Sequence, residues 1–239
     1  MVTPSGWPAD IFICIPSYKA ARSLHGVLAD CQRSVPASQI LVVDDGSGDD
    51  TGAICLSHGV KCLRFERNMG KGRALAAGFK ALLKQGAQAV ITMDADGQQA
   101  ASDLLRFVEC FTHHPDTGIC IGKRAFRPGQ MPLARIVSNT LTSGILSRMC
   151  GVPVLDSQCG YRLYSARFLR SISIDCPRFE MESEVILKAA HAGFPIRFVD
   201  VQTLYFKAQS HIAHIADTLR WIRAAFGIRR FLKSTRVKS

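Results

Sequence analysis

The chain has 239 residues, a formal net charge of +11, 47% hydrophobic residues and 21% charged ones. This length can bury a sizeable core, and the composition excludes disordered, collagen-like and disulfide-scaffold classes. No run approaches the roughly 18–20 consecutive apolar residues of a membrane-spanning helix, and Met1–Asp10 has no basic stretch leading into an apolar one, so a cytoplasmic protein is expected.

The nine cysteines are scattered, odd in number and form no Cys-x-x-Cys pair, which reads as reduced core residues. The first half alternates short apolar runs with segments of helical period. Ile11–Ile15, Ile40–Val43, Cys62–Phe65, Ala89–Met93 and Gly118–Ile121 read as buried strands. Between them, helices are predicted near Ser23–Gln32, Thr51–His58, Arg73–Gln85 and Ser102–Phe111. Such alternation predicts an α/β fold, Rossmann-like, with a mostly parallel central sheet flanked by helices. Beyond Arg124 a loop with Pro128, Gly129 and Pro132 leads into a helix over Leu133–Met149. A loop over Asp156–Arg162, a helix near Glu182–His191 and a strand over Ile196–Tyr205 follow. A C-terminal amphipathic helical extension is predicted over Ile212–Lys233, which divides the chain into a domain at 1–210 and a basic tail at 211–239.

Ligands of open α/β sheets bind at the carboxyl ends of strands, and the polar motifs fall there. Asp94-Ala95-Asp96 follows the run Ala89–Met93 directly. Two carboxylates at the end of a buried strand are costly unless a cation neutralises them, and hard oxygen ligands suit Mn²⁺ or Mg²⁺ bridging a diphosphate. An Asp-x-Asp pair also arises by chance and shapes turns, so alone it does not decide. Asp44 and Asp45 end the second strand, where a carboxylate can accept from a nucleobase or ribose; Gly46, Gly48 and Asp50 that follow suit a tight turn and a helix cap. Asn68-Met69-Gly70-Lys71-Gly72 precedes a helix and allows close approach by a nucleotide, but Leu75 stands where a dinucleotide fingerprint needs its third glycine.

Taken in order, Ile15-Pro16-Ser17-Tyr18, Val43-Asp44-Asp45-Gly46-Ser47, Asn68–Gly72 and Met93-Asp94-Ala95-Asp96-Gly97-Gln98 resemble family 2 glycosyltransferases of the GT-A fold. Asp156-Ser157-Gln158-Cys159-Gly160-Tyr161-Arg162, Phe179-Glu180-Met181-Glu182 and Ser210-His211-Ile212 resemble the bacterial branch related to dolichol-phosphate mannosyltransferase. The resemblance implies transfer of a sugar from a nucleotide-sugar donor to a lipid acceptor, foremost a polyprenyl phosphate. It further implies that Pro16, Tyr18, Val43 and Asp45 line the nucleoside pocket, with Gly70 and Lys71 also on the donor. Asp94, Ala95 and Asp96 would hold metal and diphosphate, Gln98 would be a further metal ligand, and Arg124 would meet donor phosphate. Asp156 and Arg162 would surround the acceptor phosphate, with Glu182 near the reacting sugar. Lys19 and Ala20 depart from the family's asparagine and glutamate, the latter a contact to the donor base.

The basic residues after Asp217, from Arg220 to Lys238, beside Ile212, Ile215, Leu219, Ile222 and Phe226, suit an anionic membrane surface. Leu133–Met149, with Arg135 and Arg148, is a second such segment. The expected place is therefore peripheral, on the inner face of the cell membrane. Three other readings use the same residues. A hydroxyl on another lipid, such as an aryl-polyene lipid, would need Asp156, Glu182 or Glu184 as general base. A nucleotide-sugar-binding protein without turnover is the second. Nucleic-acid binding would use the charge but conflicts with carboxylates crowding the strand ends.

Overall fold

The computed structural model describes residues 6–125, 131–204 and 227. Seven strands form one sheet: β1 (Ile11–Ser17), β2 (Ile40–Asp44), β3 (Lys61–Arg64), β4 (Ala89–Thr92), β5 (Ile119–Arg124), β6 (Arg162–Ser165) and β7 (Ile196–Val201). Their order is β3-β2-β1-β4-β6-β5-β7. Pairing is parallel except at β6, which runs antiparallel to both β4 and β5. The helices are α1 (Ala21–Cys31), α2 (Thr51–Ser57), α3 (Lys71–Lys84), α4 (Leu104–His113), α5 (Leu133–Cys150), α6 (Ala166–Ser171) and α7 (Met181–His191).

The core follows the apolar runs. β2 and β4 are buried along their whole length, and α3 lays Ala74, Leu75, Phe79 and Leu82 against the sheet. From β1 the chain winds outward through β2 to β3, then crosses back to β4 on the other side of β1. This reversal puts the crevice of an open α/β sheet at the carboxyl ends of β1 and β4. Pro16–Tyr18 and Asp94–Asp96 stand on either side of it.

Three expectations change. Cys62–Phe65 is not a buried strand: β3 is the sheet edge, with Lys61, Cys62 and Arg64 exposed. Arg162 belongs to β6 rather than a loop, and α6 follows it at once. The strand expected to reach Tyr205 ends at Val201. The boundary at 210, the helix over 212–233, and Ser210–Ile212 lie outside the described residues. No described helix is long and apolar enough to cross a membrane.

α5 has its polarity reversed. Its buried residues include Asn139, Thr142 and Ser143, which bond the 157–158 backbone and the Ser157 hydroxyl. Its outer face exposes Leu133 (69%), Val137 (65%) and Leu141 (52%), four residues apart.

Candidate active site

β4 delivers Asp94 and Asp96 into the crevice, with buried Ala95 between them. The Ala95 carbonyl accepts from Ser23 Oγ of α1 at 2.6 Å, which fixes the loop. Asp94 accepts from Lys71 Nζ through Oδ1 (2.6 Å) and from Gln99 Nε2 through Oδ2 (2.9 Å). Asp96 is exposed, and its Oδ1 accepts from the Gln98 backbone amide at 2.9 Å. Crowding by protein and then the charge of Asp94 raise the Asp96 pKa. An ionised carboxylate so placed favours a cation beside it.

Lys71 is the centre of the site. Its ammonium lies 2.6 Å from Asp94 Oδ1 and 2.8 Å from Glu182 Oε1. Burial pulls its pKa down, but the two carboxylates outweigh burial and hold it above the ordinary lysine value. Gly160 makes room for this junction: a Cβ there would stand 2.6 Å from Asp94 Oδ2 and 2.7 Å from Lys71 Nζ. Sequence reasoning had Gly160 inside a motif but gave it no role.

The α3 N-terminus, expected to approach a nucleotide, is closed by protein. The Pro177 carbonyl accepts from Gly72 N (2.9 Å) and Arg73 N (3.3 Å). Gly70 N and Met69 N instead donate to Asp45, at 2.8 and 2.6 Å. Asp45 is thus 3% exposed and anchors the loop above the crevice. Gly72 is required by contact, because a Cβ would collide with the Cys176 carbonyl oxygen. Gly72→Ala is therefore expected to displace the 176–178 segment and lower the melting temperature by several degrees, read by a thermal melt.

The residues expected on the acceptor side are held by protein partners. Asp156 is fully buried, and its two oxygens take Arg124 Nε (2.8 Å) and Nη2 (2.9 Å), so it orients Arg124. Arg162 is also fully buried. It donates to the carbonyls of Cys159 (2.6 Å), Glu182 (2.6 Å) and Ser157 (2.7 Å), tying the 157–160 loop to α7. Glu184 is 1% exposed and accepts from the amides of Asp175 and Cys176 and from Lys188. Cys159 is buried and its thiol is pushed up to about 12 by burial, the signature of an inert core cysteine. Val43 is fully buried, so only its backbone can face a nucleoside.

Pro16 is half-buried and Tyr18 is 46% exposed, leaving both able to meet a base. Lys19 occupies the left-handed region (φ 53°) with its ammonium 5.4 Å from the Tyr18 ring centroid. Its amide donates to Ser47 Oγ at 2.9 Å, which holds this uncommon conformation. A cavity of about 420 Å³ is lined by Arg64, Phe65, Glu66, Arg67, Met69 and Arg73.

The donor set fits a hard divalent ion brought in with a diphosphate. Among the described residues no three His, Cys, Asp or Glu side chains converge on a metal position. Asp94, shared with Lys71 and Gln99, and exposed Asp96 are the described carboxylates of an incomplete shell, as is usual for Mg²⁺ or Mn²⁺ sites finished by substrate phosphates.

Known proteins agree with this architecture. The model of glycosyl transferase family 2 matches residues 12–172. An undecaprenyl-phosphate mannosyltransferase of Micrococcus luteus is 29% identical over 90% of this chain and 95% of its own. A UDP-N-acetylglucosamine–dolichyl-phosphate N-acetylglucosaminyltransferase of Methanococcus voltae is 29% identical, covering 82% of this chain and 86% of its own. The fold resembles glucosyl-3-phosphoglycerate synthase of Mycobacterium tuberculosis in complex with UDP, with TM-score 0.73 and 18% identity over 92% of this chain and 79% of that one. A motif series running from β1 through β4, on a sheet that places it around one crevice, and a family match over residues 12–172 agree: the chain belongs to glycosyltransferase family 2.

Proposed function

We propose that this glycosyltransferase moves a sugar from a nucleotide-diphosphate sugar to a polyprenyl phosphate, with Mn²⁺ or Mg²⁺ as cofactor. The observation that carries the acceptor is the state of the three carboxylates a hydroxyl acceptor would need. Asp156 is clamped on Arg124, Glu184 on two amides and Lys188, and Glu182 on Lys71. Each is engaged by a cation or an amide in the free protein, whereas a phosphate acceptor needs no general base because it is already an anion. The names of the Micrococcus and Methanococcus relatives support the same acceptor class.

In this reading the acceptor phosphate oxygen bonds to the anomeric carbon as the bond from that carbon to the donor diphosphate breaks, releasing nucleoside diphosphate. Asp96 and Gln98 would hold the divalent ion, which supplies charge neutralisation on the departing diphosphate. Arg124, oriented by Asp156, supplies the chain's own cation for phosphate. Lys71 offsets part of the charge of Asp94 and Glu182, which eases the approach of two anionic substrates to the same crevice. Calorimetry with uridine and guanosine donors, with Mn²⁺ or with chelator, tests the donor half. Binding of one donor that disappears with chelator supports the reading, and binding of none with metal present removes it.

The outer face of α5 gives the lipid side a place to dock. Leu133, Val137 and Leu141 would enter the headgroup region of an anionic bilayer, and the net positive charge would add attraction. Val137→Glu with Leu141→Glu is expected to reduce flotation with phosphatidylglycerol vesicles at least tenfold, leaving donor binding unchanged. Equal flotation would place membrane contact elsewhere. The basic segment 211–239, beyond a catalytic domain at 1–210, would be a second membrane contact.

A further inference from the structure

Away from the crevice, α1 and α2 are joined by a pair of imidazoles. His58 Nε2 lies 3.0 Å from His25 Nδ1, with the rings edge-to-face and their centroids 4.7 Å apart. His58 Nδ1 lies 2.7 Å from Gln32 Oε1, and Gln32 Nε2 donates to the His58 carbonyl at 2.7 Å. That second bond fixes the amide orientation, because only the NH₂ can donate to a carbonyl. Oε1 must then face the ring, so neutral His58 carries its proton on Nδ1 and directs the Nε2 lone pair at His25.

We propose that His25 and His58 form a surface site for a late first-row divalent cation, such as Ni²⁺ or Cu²⁺, distinct from the oxygen-rich donor site. The spacing supports it. With metal–nitrogen bonds of about 2.0–2.1 Å, two ligands at a right angle stand about 2.9 Å apart, and two at the tetrahedral angle about 3.3 Å. The 3.0 Å separation, spanned in the metal-free protein by a hydrogen bond between the rings, matches the right-angled bite of square-planar or octahedral ions once both rings turn their lone pairs onto the ion. The Gln32 contact is the second arm of a metal-binding histidine, whose remote N–H is ordinarily held by an oxygen.

Binding requires His25 to expose a lone pair at Nδ1, so its proton passes to Nε2 through solvent. Among the described residues no third His, Cys, Asp or Glu completes the set, so water fills the remaining positions. The site is therefore exchangeable, staples α1 to the end of α2, and leaves Asp96 and Gln98 to harder ions.

The test uses the full chain carrying Asp96→Ala, which removes the donor-site carboxylate, titrated with NiCl₂. The expected result is one saturable event with loss of His25 and His58 imidazole signals by NMR and a rise in melting temperature. His25→Asn and His58→Asn should each weaken binding at least tenfold and abolish the thermal shift. Gln32→Leu, which keeps both ligands, should weaken it about tenfold. Metal-free melts of each variant separate lost binding from lost folding. Undiminished binding in both histidine variants, or broadening confined to other histidines, would overturn the proposal.

Discussion

Arg162→Met is expected to destabilise the protein by about 3–5 kcal/mol, because it removes a fully buried cation whose donors satisfy three backbone carbonyls. The Cys159, Ser157 and Glu182 carbonyls would be left buried and unpaired. The same change frees the 157–160 loop, which carries Gly160 beside the Lys71–Asp94 pair. Arg162→Lys should fare little better, since one ammonium cannot reproduce a planar fork with three directions. Urea unfolding measures the loss. If Arg162 instead touched the acceptor, activity would collapse while stability changed by less than about 1 kcal/mol.

The second large effect is at Asp96. Asp96→Ala is expected to lower turnover about 10²–10³-fold, the range seen when one preorganised charge-stabilising group is removed. Metal-dependent donor binding should fall with it. Stability should not: crowding and the Asp94 charge disfavour the ionised form of this side chain in the fold. A thermal melt beside the kinetic assay checks both halves. A lower melting temperature with intact turnover would make Asp96 structural.

The strands were legible because buried parallel strands read as continuous apolar runs, and β1, β2 and β4 are of that kind. β3 has a similar composition but is an edge, and position in the sheet is not written locally. β6 was missed as a strand: four residues beginning with arginine look like a loop until three carbonyls are found to accept its guanidinium. Asp94 and Asp96 could be placed from their own strand. The partners of Asp156, Arg162 and Lys71 could not, because they are supplied from elsewhere in the chain. Arg124 claims Asp156 from 32 residues away, and Lys71 meets Glu182 across 111. Closure of the α3 N-terminus by Pro177 is likewise a tertiary event, hidden in a glycine-rich turn that alone suggests a phosphate cradle.

The most direct measurement is transfer of radiolabelled sugar from its nucleotide donor into detergent-solubilised polyprenyl phosphate, run beside the matching polyprenol. A lipid-soluble labelled product with the phosphate, abolished by chelator and absent with the polyprenol, is the predicted result. Product formed on the polyprenol, or nucleotide released at the same rate with and without lipid phosphate, would contradict it.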